Sequence, residues 1–238
     1  MSEPARAGET DAPGRLVAVA NQKGGVGKTT TAVNLAAALA DAGWRVLLVD
    51  VDPQGNATTH LGLARAERRV SLYDVLLGRV PAANAVQPTD IAGLKVLPSV
   101  VDLSGVEVEL ARDDDRNLKL KAALAPVRSA YDLVLVDCPP SLGVLTVNAL
   151  AAADGVLIPL QCEFFALEGL SMILRTVDRV RRGANPKLKI EGVVLTMYDR
   201  RNNLSDQVAA DVRGFMGTRV FETVIPRNVR ISEAPSYG

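Results

Sequence analysis

The chain has 238 residues, of which 48% are apolar types and 23% are charged types, a composition that excludes an intrinsically disordered or collagen-like chain. Its 27 basic and 27 acidic residues balance, so no overall charge points to a polyanionic partner, although a local cluster still can. The two cysteines, Cys138 and Cys162, are too few for a disulfide framework or a four-cysteine metal site within one chain, and a reducing cytosol fits this best.

The first 14 residues are polar and contain no apolar stretch of the kind found in signal peptides or membrane anchors. We therefore predict a flexible tail over residues 1–14 and a single domain over residues 15–238. No segment approaches the roughly 18 consecutive apolar residues that a membrane span requires.

Short apolar runs recur along the rest of the chain. They are unbroken and rich in β-branched residues and leucine, which predicts strands that are buried on both faces. These runs are residues 16–20, 46–49, 94–97, 133–136, 156–160, 190–195 and 220–225. Segments of helical length lie between most of them, at residues 28–42, 117–129, 143–152, 166–182 and 203–216. Alternation of strand and helix predicts an α/β fold, with a mostly parallel central sheet and helices on both faces.

The segment 166–182 has the periodicity of an amphipathic helix. We expect its apolar side, which would pack on the sheet, to consist of Leu167, Leu170, Ile173, Leu174 and Val177. Three arginines, Arg175, Arg179 and Arg182, fall on the opposite side, and basic residues outnumber acidic ones between positions 175 and 230. This basic stripe suits either a solvated helix face or a surface for nucleic acid, and the charge alone does not decide between them.

A glycine-rich segment separates the first predicted strand from the first predicted helix. It reads Gln22-Lys23-Gly24-Gly25-Val26-Gly27-Lys28-Thr29-Thr30. Small glycines let backbone N–H groups converge on phosphate oxygens, and a helix N-terminus adds partial positive charge. Lys28 can neutralise the outer phosphates and the Thr29 hydroxyl can bind Mg²⁺. The usual spacing Gly-x-x-x-x-Gly-Lys would place a glycine at position 22, so this phosphate loop is a variant.

The variant Lys-Gly-Gly-x-Gly-Lys-Thr resembles the deviant phosphate loop of the ParA/MinD ATPases. This resemblance implies a phosphate-loop NTPase fold of the deviant class. Three later segments strengthen this resemblance. They are Leu48-Val49-Asp50-Val51-Asp52-Pro53-Gln54-Gly55-Asn56-Ala57-Thr58, Val136-Asp137-Cys138-Pro139-Pro140-Ser141 and Ile225-Pro226-Arg227-Asn228-Val229-Arg230-Ile231-Ser232-Glu233-Ala234-Pro235. The four segments occur in the same order as in the ParA/Soj chromosome-partitioning branch, and the chain is similar to that branch over roughly residues 15–238.

The resemblance implies an ATPase that uses ATP and Mg²⁺, with Lys23, Lys28 and Asp52 as its catalytic residues. The nucleotide-binding residues that it implies are Lys23, Gly24, Gly25, Val26, Gly27, Lys28, Thr29, Thr30, Pro226, Arg227 and Asn228. The metal site would involve Thr29, Asp52 and Asp137. By the same resemblance, Lys23 crosses to the ATP of a second subunit, so the active form is a homodimer. Asp50 either supports the loop or acts directly, and residues 226–228 either contact adenine or form a plain turn.

By resemblance to ParA/Soj proteins, Arg201 and Arg230 are expected to bind DNA without sequence preference in the ATP dimer, with a ParB-type partner stimulating hydrolysis. This function predicts a cytoplasmic, nucleoid-associated protein that acts in chromosome or plasmid segregation. The alternative is a MinD-like or scaffold-positioning ATPase that acts on a membrane or a protein machine, although no C-terminal amphipathic helix for a membrane is present. Cys138 and Cys162 are expected to be buried thiols rather than cluster ligands, and the lone His60 cannot anchor an intrachain zinc site of the usual type.

Overall fold

A sheet of eight strands forms the centre of residues 14–228, which are the residues that the computed structural model describes. The strands are β1 Arg15–Val19, β2 Val46–Asp50, β3 Gln87–Pro88, β4 Leu94–Leu97, β5 Leu133–Asp137, β6 Gly155–Gln161, β7 Lys189–Tyr198 and β8 Val220–Pro226. Their order across the sheet is β3-β4-β2-β5-β1-β6-β7-β8. The predicted tail up to residue 13 and the residues from 229 onward, including Arg230, lie outside the described residues.

Every pairing in the sheet is parallel except that of β3, which runs antiparallel to β4. The predicted α/β fold with a mostly parallel sheet is thereby confirmed. Strand β3 was not predicted because its two residues, Gln87 and Pro88, are too short to carry a periodic pattern.

Helices cover both faces of this sheet. They are α1 Lys28–Asp41, α2 Asn56–His60, α3 Leu72–Leu76, α4 Ala82–Ala85, α5 Val106–Glu109, α6 Lys119–Leu124, α7 Val144–Ala152, α8 Ala166–Arg182 and α9 Asn203–Met216. The helix predicted at residues 117–129 is reduced to α6. Pro126 explains the early end, because proline lacks a backbone N–H and disfavours helical geometry at the residue before it.

The core lies on both sides of the sheet, as unbroken apolar strands require. In β1, Leu16 and Ala18 belong to one buried cluster, which includes side chains of α7, α8 and α9. Val17 and Val19 belong to a second cluster, which contains the buried side of α1. One expectation for α8 was wrong: Leu167 was assigned to the apolar face, but it is 38% exposed because it lies in the first turn, at the solvent edge of the packing.

The strand order brings polar residues together at the carboxyl ends of the central strands. Val19 at the end of β1 is in register with Asp137 at the end of β5, and Asp137 is in register with Asp50 at the end of β2. In open α/β sheets this edge is where ligands bind. Within residues 14–228, no helix is both long and apolar enough to cross a bilayer.

Candidate nucleotide-binding site

The loop between β1 and α1 is anchored at its start and ends in an uncapped helix N-terminus. The Asn21 amide donates to the Pro159 carbonyl at 2.8 Å, and its oxygen accepts a hydrogen bond from the Lys23 N–H at 3.1 Å. Gly27 precedes the first helical residue with φ 81, a left-handed conformation that favours glycine. Because Gly27 has no side chain to cap α1, the first N–H groups of the helix stay available to an anion.

Lys28 places an ammonium group inside this loop. Its side chain is buried, and its Nζ donates a hydrogen bond to the Lys23 carbonyl at 2.9 Å. Burial lowers the pKa of Lys28, and the negative charge of Asp137 acts in the opposite direction. The loop therefore holds a cation in a position to meet an anionic ligand.

Lys23 points away from its own loop. Its ammonium forms an ion pair with Glu163, which follows β6, and the Lys23 side chain is 40% exposed. The two candidate lysines of the glycine-rich segment thus have different environments, since Lys28 is enclosed and Lys23 lies at the surface.

Asp52 lies directly after β2 in a tightly bonded turn. Its carboxylate accepts the Gln54 N–H at 3.0 Å, and its N–H donates to Asp50 Oδ1 at 3.2 Å. Asp50 itself is fully buried, and its Oδ2 accepts both the N–H and the hydroxyl of Thr58, at 2.8 and 2.6 Å. Burial raises the pKa of Asp50 to about 6, with the Thr58 hydrogen bonds opposing the shift. Of the two roles left open for Asp50, its contacts favour support of the loop.

Asp137 is buried at the end of β5, and among the described residues neither of its carboxylate oxygens finds a hydrogen-bond partner. Burial and the negative charge of Asp50 raise its pKa well above the ordinary range, while the nearby Thr29 hydroxyl and the Lys28 charge act against this. Buried carboxylates without partners are rare, because the desolvation cost is not recovered. Asp137 therefore fits the place of a cation ligand or of a group bonded to such a cation.

A cavity of about 640 Å³ opens beside the end of the phosphate loop. It is lined by Gly27, Thr30, Thr31, Asn34, Leu35, Leu157, Val194, Thr196, Met197, Phe221, Thr223, Ile225, Pro226, Arg227 and Asn228. The predicted base-contacting residues 226–228 thus line the same cavity as the loop. The backbone N–H of Arg227 donates to the Tyr198 carbonyl at 3.0 Å, which holds this segment against the end of β7. The volume lies in the range of small-molecule sites.

The sequence reasoning missed Thr196, near the end of β7. Its buried hydroxyl donates to the Val26 carbonyl in the phosphate loop at 2.9 Å, and Met197, which follows it, has φ 49. A non-glycine residue with positive φ is uncommon, and such residues cluster at functional sites. The signal that identified Asp137, a polar residue at the carboxyl end of an apolar strand, also applies to Thr196.

Arg201 lies outside this cavity, in the turn between β7 and α9. Its guanidinium forms two hydrogen bonds with Asp199, at 3.0 and 2.9 Å, and its side chain is 88% exposed. The Arg201 guanidinium is also the main reason that the pKa of Asp199 falls to about 2. The arginine is thus preoriented by a carboxylate at the surface.

Both cysteines are buried and free, as predicted. Burial raises the pKa of Cys162 to about 11 and that of Cys138 still further, so both thiols are protonated at neutral pH. Among residues 14–228, no group of three or more histidine, cysteine, aspartate or glutamate side chains is arranged to hold a metal ion.

A glycine-rich turn between a buried strand and a helix, with a lysine inside the turn and acids at neighbouring strand ends, defines a phosphate-loop nucleotide-binding protein of the α/β class. Residues 14–190 match the family described as an AAA domain. The chain is 60% identical to the chromosome partitioning protein ParA of Caulobacter vibrioides, over 95% of this chain and 85% of that protein. It is 52% identical to the sporulation initiation inhibitor protein Soj of Bacillus subtilis, over 94% of this chain and 89% of that protein.

Among solved structures, the chain is similar to cobyrinic acid a,c-diamide synthase from Mycobacterium smegmatis with bound ATP analog and magnesium. That comparison has a TM-score of 0.86 and 46% identity, covering 91% of this chain and 86% of that one. Because the partitioning proteins match at high identity over nearly the whole chain, this protein belongs to the ParA/Soj family of chromosome-partitioning proteins.

Proposed function

We propose that this protein is a Mg²⁺-dependent ATPase whose ATP-bound homodimer binds DNA without sequence preference in chromosome or plasmid segregation. The observation that carries the proposal is the placement of the buried Lys28 ammonium and the unpartnered Asp137 carboxylate at one edge of the sheet. A cavity that a nucleoside can fill opens beside them. Family membership supports the partitioning role.

In this proposal the nucleotide lies along the loop of residues 23–30. Backbone N–H groups and the start of α1 hold the phosphates, and Lys28 exchanges its bond to the Lys23 carbonyl for a phosphate oxygen. The base enters the cavity, where Pro226 packs on the ring and the backbone and side chains of Arg227 and Asn228 read its edge.

The donor set fits Mg²⁺, which binds proteins through one or two oxygen ligands while keeping waters and phosphate oxygens. Thr29 would supply a hydroxyl, and Asp137 would hold the ion directly or through a water. Asp52 would lie on the side of the attacking water. When bound, the ion neutralises charge that develops on the phosphates. The M. smegmatis structure, whose name includes an ATP analog and magnesium, supports this choice of ligands.

For hydrolysis, Asp52 would orient the attacking water, since its carboxylate follows β2 at the same edge as Asp137. Lys23 would leave Glu163 and place its charge on the phosphates of the partner subunit's ATP, as an arginine finger does. The γ-phosphate then holds the dimer together, and its loss loosens the dimer.

DNA binding is assigned to Arg201 and Arg230. Arg201 is highly exposed, and dimerisation would double the number of arginines that a DNA backbone meets. A ParB-type centromere-binding protein would stimulate hydrolysis, and the protein would act in the cytoplasm on the nucleoid.

The test is binding to a random-sequence DNA duplex at two salt concentrations with ATP, ADP or no nucleotide. We expect the protein to bind this DNA only with ATP, and we expect the binding to weaken steeply as the salt concentration rises. Charge reversal of Arg201 and Arg230 should abolish DNA binding while ATP-dependent dimerisation survives. ATP-dependent dimers without any DNA affinity would instead favour a membrane or scaffold role, and unchanged affinity in the variant would remove both arginines from the interface.

A further inference from the structure

We propose that Ser99 is a positioning residue for ATP hydrolysis, acting through the main chain of Asp52. The inference rests on the proposed role of Asp52 in orienting the attacking water. Ser99 lies two residues beyond the end of β4 and is fully buried. Its hydroxyl donates a hydrogen bond of 2.6 Å to the Asp52 carbonyl, across 47 residues of sequence.

Ser99 closes a ring of hydrogen bonds with three other buried residues, Asp50, Asp52 and Thr58, which we call the Ser99 ring. The Ser99 N–H donates to the Thr58 hydroxyl oxygen at 3.1 Å, and that hydroxyl donates to Asp50 Oδ2 at 2.6 Å. Asp50 Oδ1 accepts the Asp52 N–H at 3.2 Å, and the Asp52 carbonyl accepts the Ser99 hydroxyl. The ring therefore fixes Asp52 through both its N–H and its carbonyl.

Arg68 supports the ring from outside. This arginine is buried, and its guanidinium donates to the Ser99 carbonyl at 3.3 Å, the Thr59 hydroxyl at 2.7 Å and the Leu63 carbonyl at 2.8 Å. A Cβ on Gly55 would lie 2.5 Å from Arg68 Nη1, and Gly55 has φ 65, so a side chain there would be strained and would displace the Arg68 guanidinium. The end of β4, the turn after β2 and helix α2 are thus held as one unit.

This arrangement leaves the Asp52 carboxylate outside the ring, bonded to the Gln54 N–H. Ser99 consequently helps to fix where that carboxylate lies, although it does not line the base cavity and the hydrogen bonds that it donates go to Asp52 and Thr58. A misplacement of about 1 Å in a catalytic group can lower the rate about 100-fold.

The experiment compares steady-state ATP hydrolysis by the full chain and by S99A. Removal of the hydroxyl should lower kcat by about 10-fold to 100-fold while KM for ATP stays within about twofold, because binding is made by other residues. The matched control is S71A, which removes an equally buried hydroxyl that bonds to Asp74 at the start of α3. Equal kcat values for S99A and S71A, or a rise in KM that matches the fall in kcat, would overturn the inference.

Two further variants separate this inference from the proposed function. In the D52A background, adding S99A should lower hydrolysis no further, because the group that Ser99 positions is gone. If D52A hydrolyses at the parent rate, the role of Asp52 fails and the Ser99 inference fails with it. If D52A is slow and S99A matches the parent, the Ser99 inference alone fails.

Discussion

The Lys23 ammonium is paired with the Glu163 carboxylate of the same chain. The Lys23 main chain is held by Asn21, so its side chain can turn without moving the phosphate loop. The two side chains are 40% and 31% exposed, and ion pairs with such exposure contribute about 0–1 kcal/mol. Lys23 is therefore weakly restrained in the monomer and available for the proposed contact across the dimer.

Removal of this restraint should favour the dimer. We expect Glu163→Gln to tighten dimerisation with a non-hydrolysable ATP analogue by up to about thirtyfold, the equivalent of about 2 kcal/mol, because each of the two subunits no longer has to break an ion pair of at most about 1 kcal/mol. Sedimentation velocity over a concentration series measures this. Glu168→Gln, an equal change of charge in the first turn of α8, is the control and should leave the dimer unchanged. Weaker dimerisation in Glu163→Gln would mean that Glu163 serves the dimer and does not restrain the monomer.

Asp137→Asn should separate metal binding from folding. The substitution removes a charge that is costly to bury, and the asparagine amide oxygen can still accept a hydrogen bond from the nearby Thr29 hydroxyl. We expect the thermal midpoint without nucleotide to be unchanged or higher. The extra stabilisation that Mg²⁺ adds to ATP binding should disappear. Differential scanning fluorimetry with ATP, with and without Mg²⁺, tests both statements, and a Mg²⁺-dependent shift equal to that of the parent would exclude Asp137 from the metal site.

His60 should make stability depend on pH. Burial lowers the pKa of this half-buried histidine below 6.5, so the unfolded chain binds a proton at a pH where the folded chain does not. The contribution is therefore present above pH 6.5 and is lost as the pH falls through the folded pKa. Because His60 is the sole histidine, its C2–H resonance reports the titration directly.

Urea unfolding at pH 5.5 and 7.5 provides the energetic measurement for His60. We expect the free energy of unfolding to decrease at the lower pH by less in His60→Gln than in the parent. Asp50 titrates in the same range with the opposite sign, since its pKa is raised to about 6, so the comparison of parent and variant isolates the histidine. Identical pH dependence in the two proteins would show that His60 titrates normally.

The sequence was sufficient to predict the parallel sheet and the meeting of acidic residues at one of its edges. Unbroken apolar runs locate strands, and polar residues at their carboxyl ends, such as Asp52 and Asp137, meet at one edge. The short helices α2 to α5 were not predicted because four or five residues are too few to show the i, i+3, i+4, i+7 recurrence of an amphipathic helix.

The contacts that position those site residues could not be predicted in the same way. Ser99 reaches Asp52, and Arg68 reaches Ser99, only because β4 lies beside β2 in the sheet. Nothing in the local pattern around Ser99 indicates its partner, since the contact is long-range. The Lys23–Glu163 pair depends in the same way on the packing of β6 beside β1.

Arg201 provides the last prediction, because Asp199 competes with DNA for its guanidinium. The Asp199 carboxylate holds Arg201 through two side-chain bonds and also accepts the Arg201 N–H at 3.0 Å. We expect Arg201→Glu to weaken binding of the ATP form to random-sequence DNA by more than about tenfold and to make its salt dependence shallower. Asp199→Asn should tighten binding, because it removes the competing anion and its repulsion of phosphates. Arg200→Glu is the control for charge alone: if it weakens binding as much as Arg201→Glu does, the turn contributes general positive charge and Arg201 makes no specific phosphate contact.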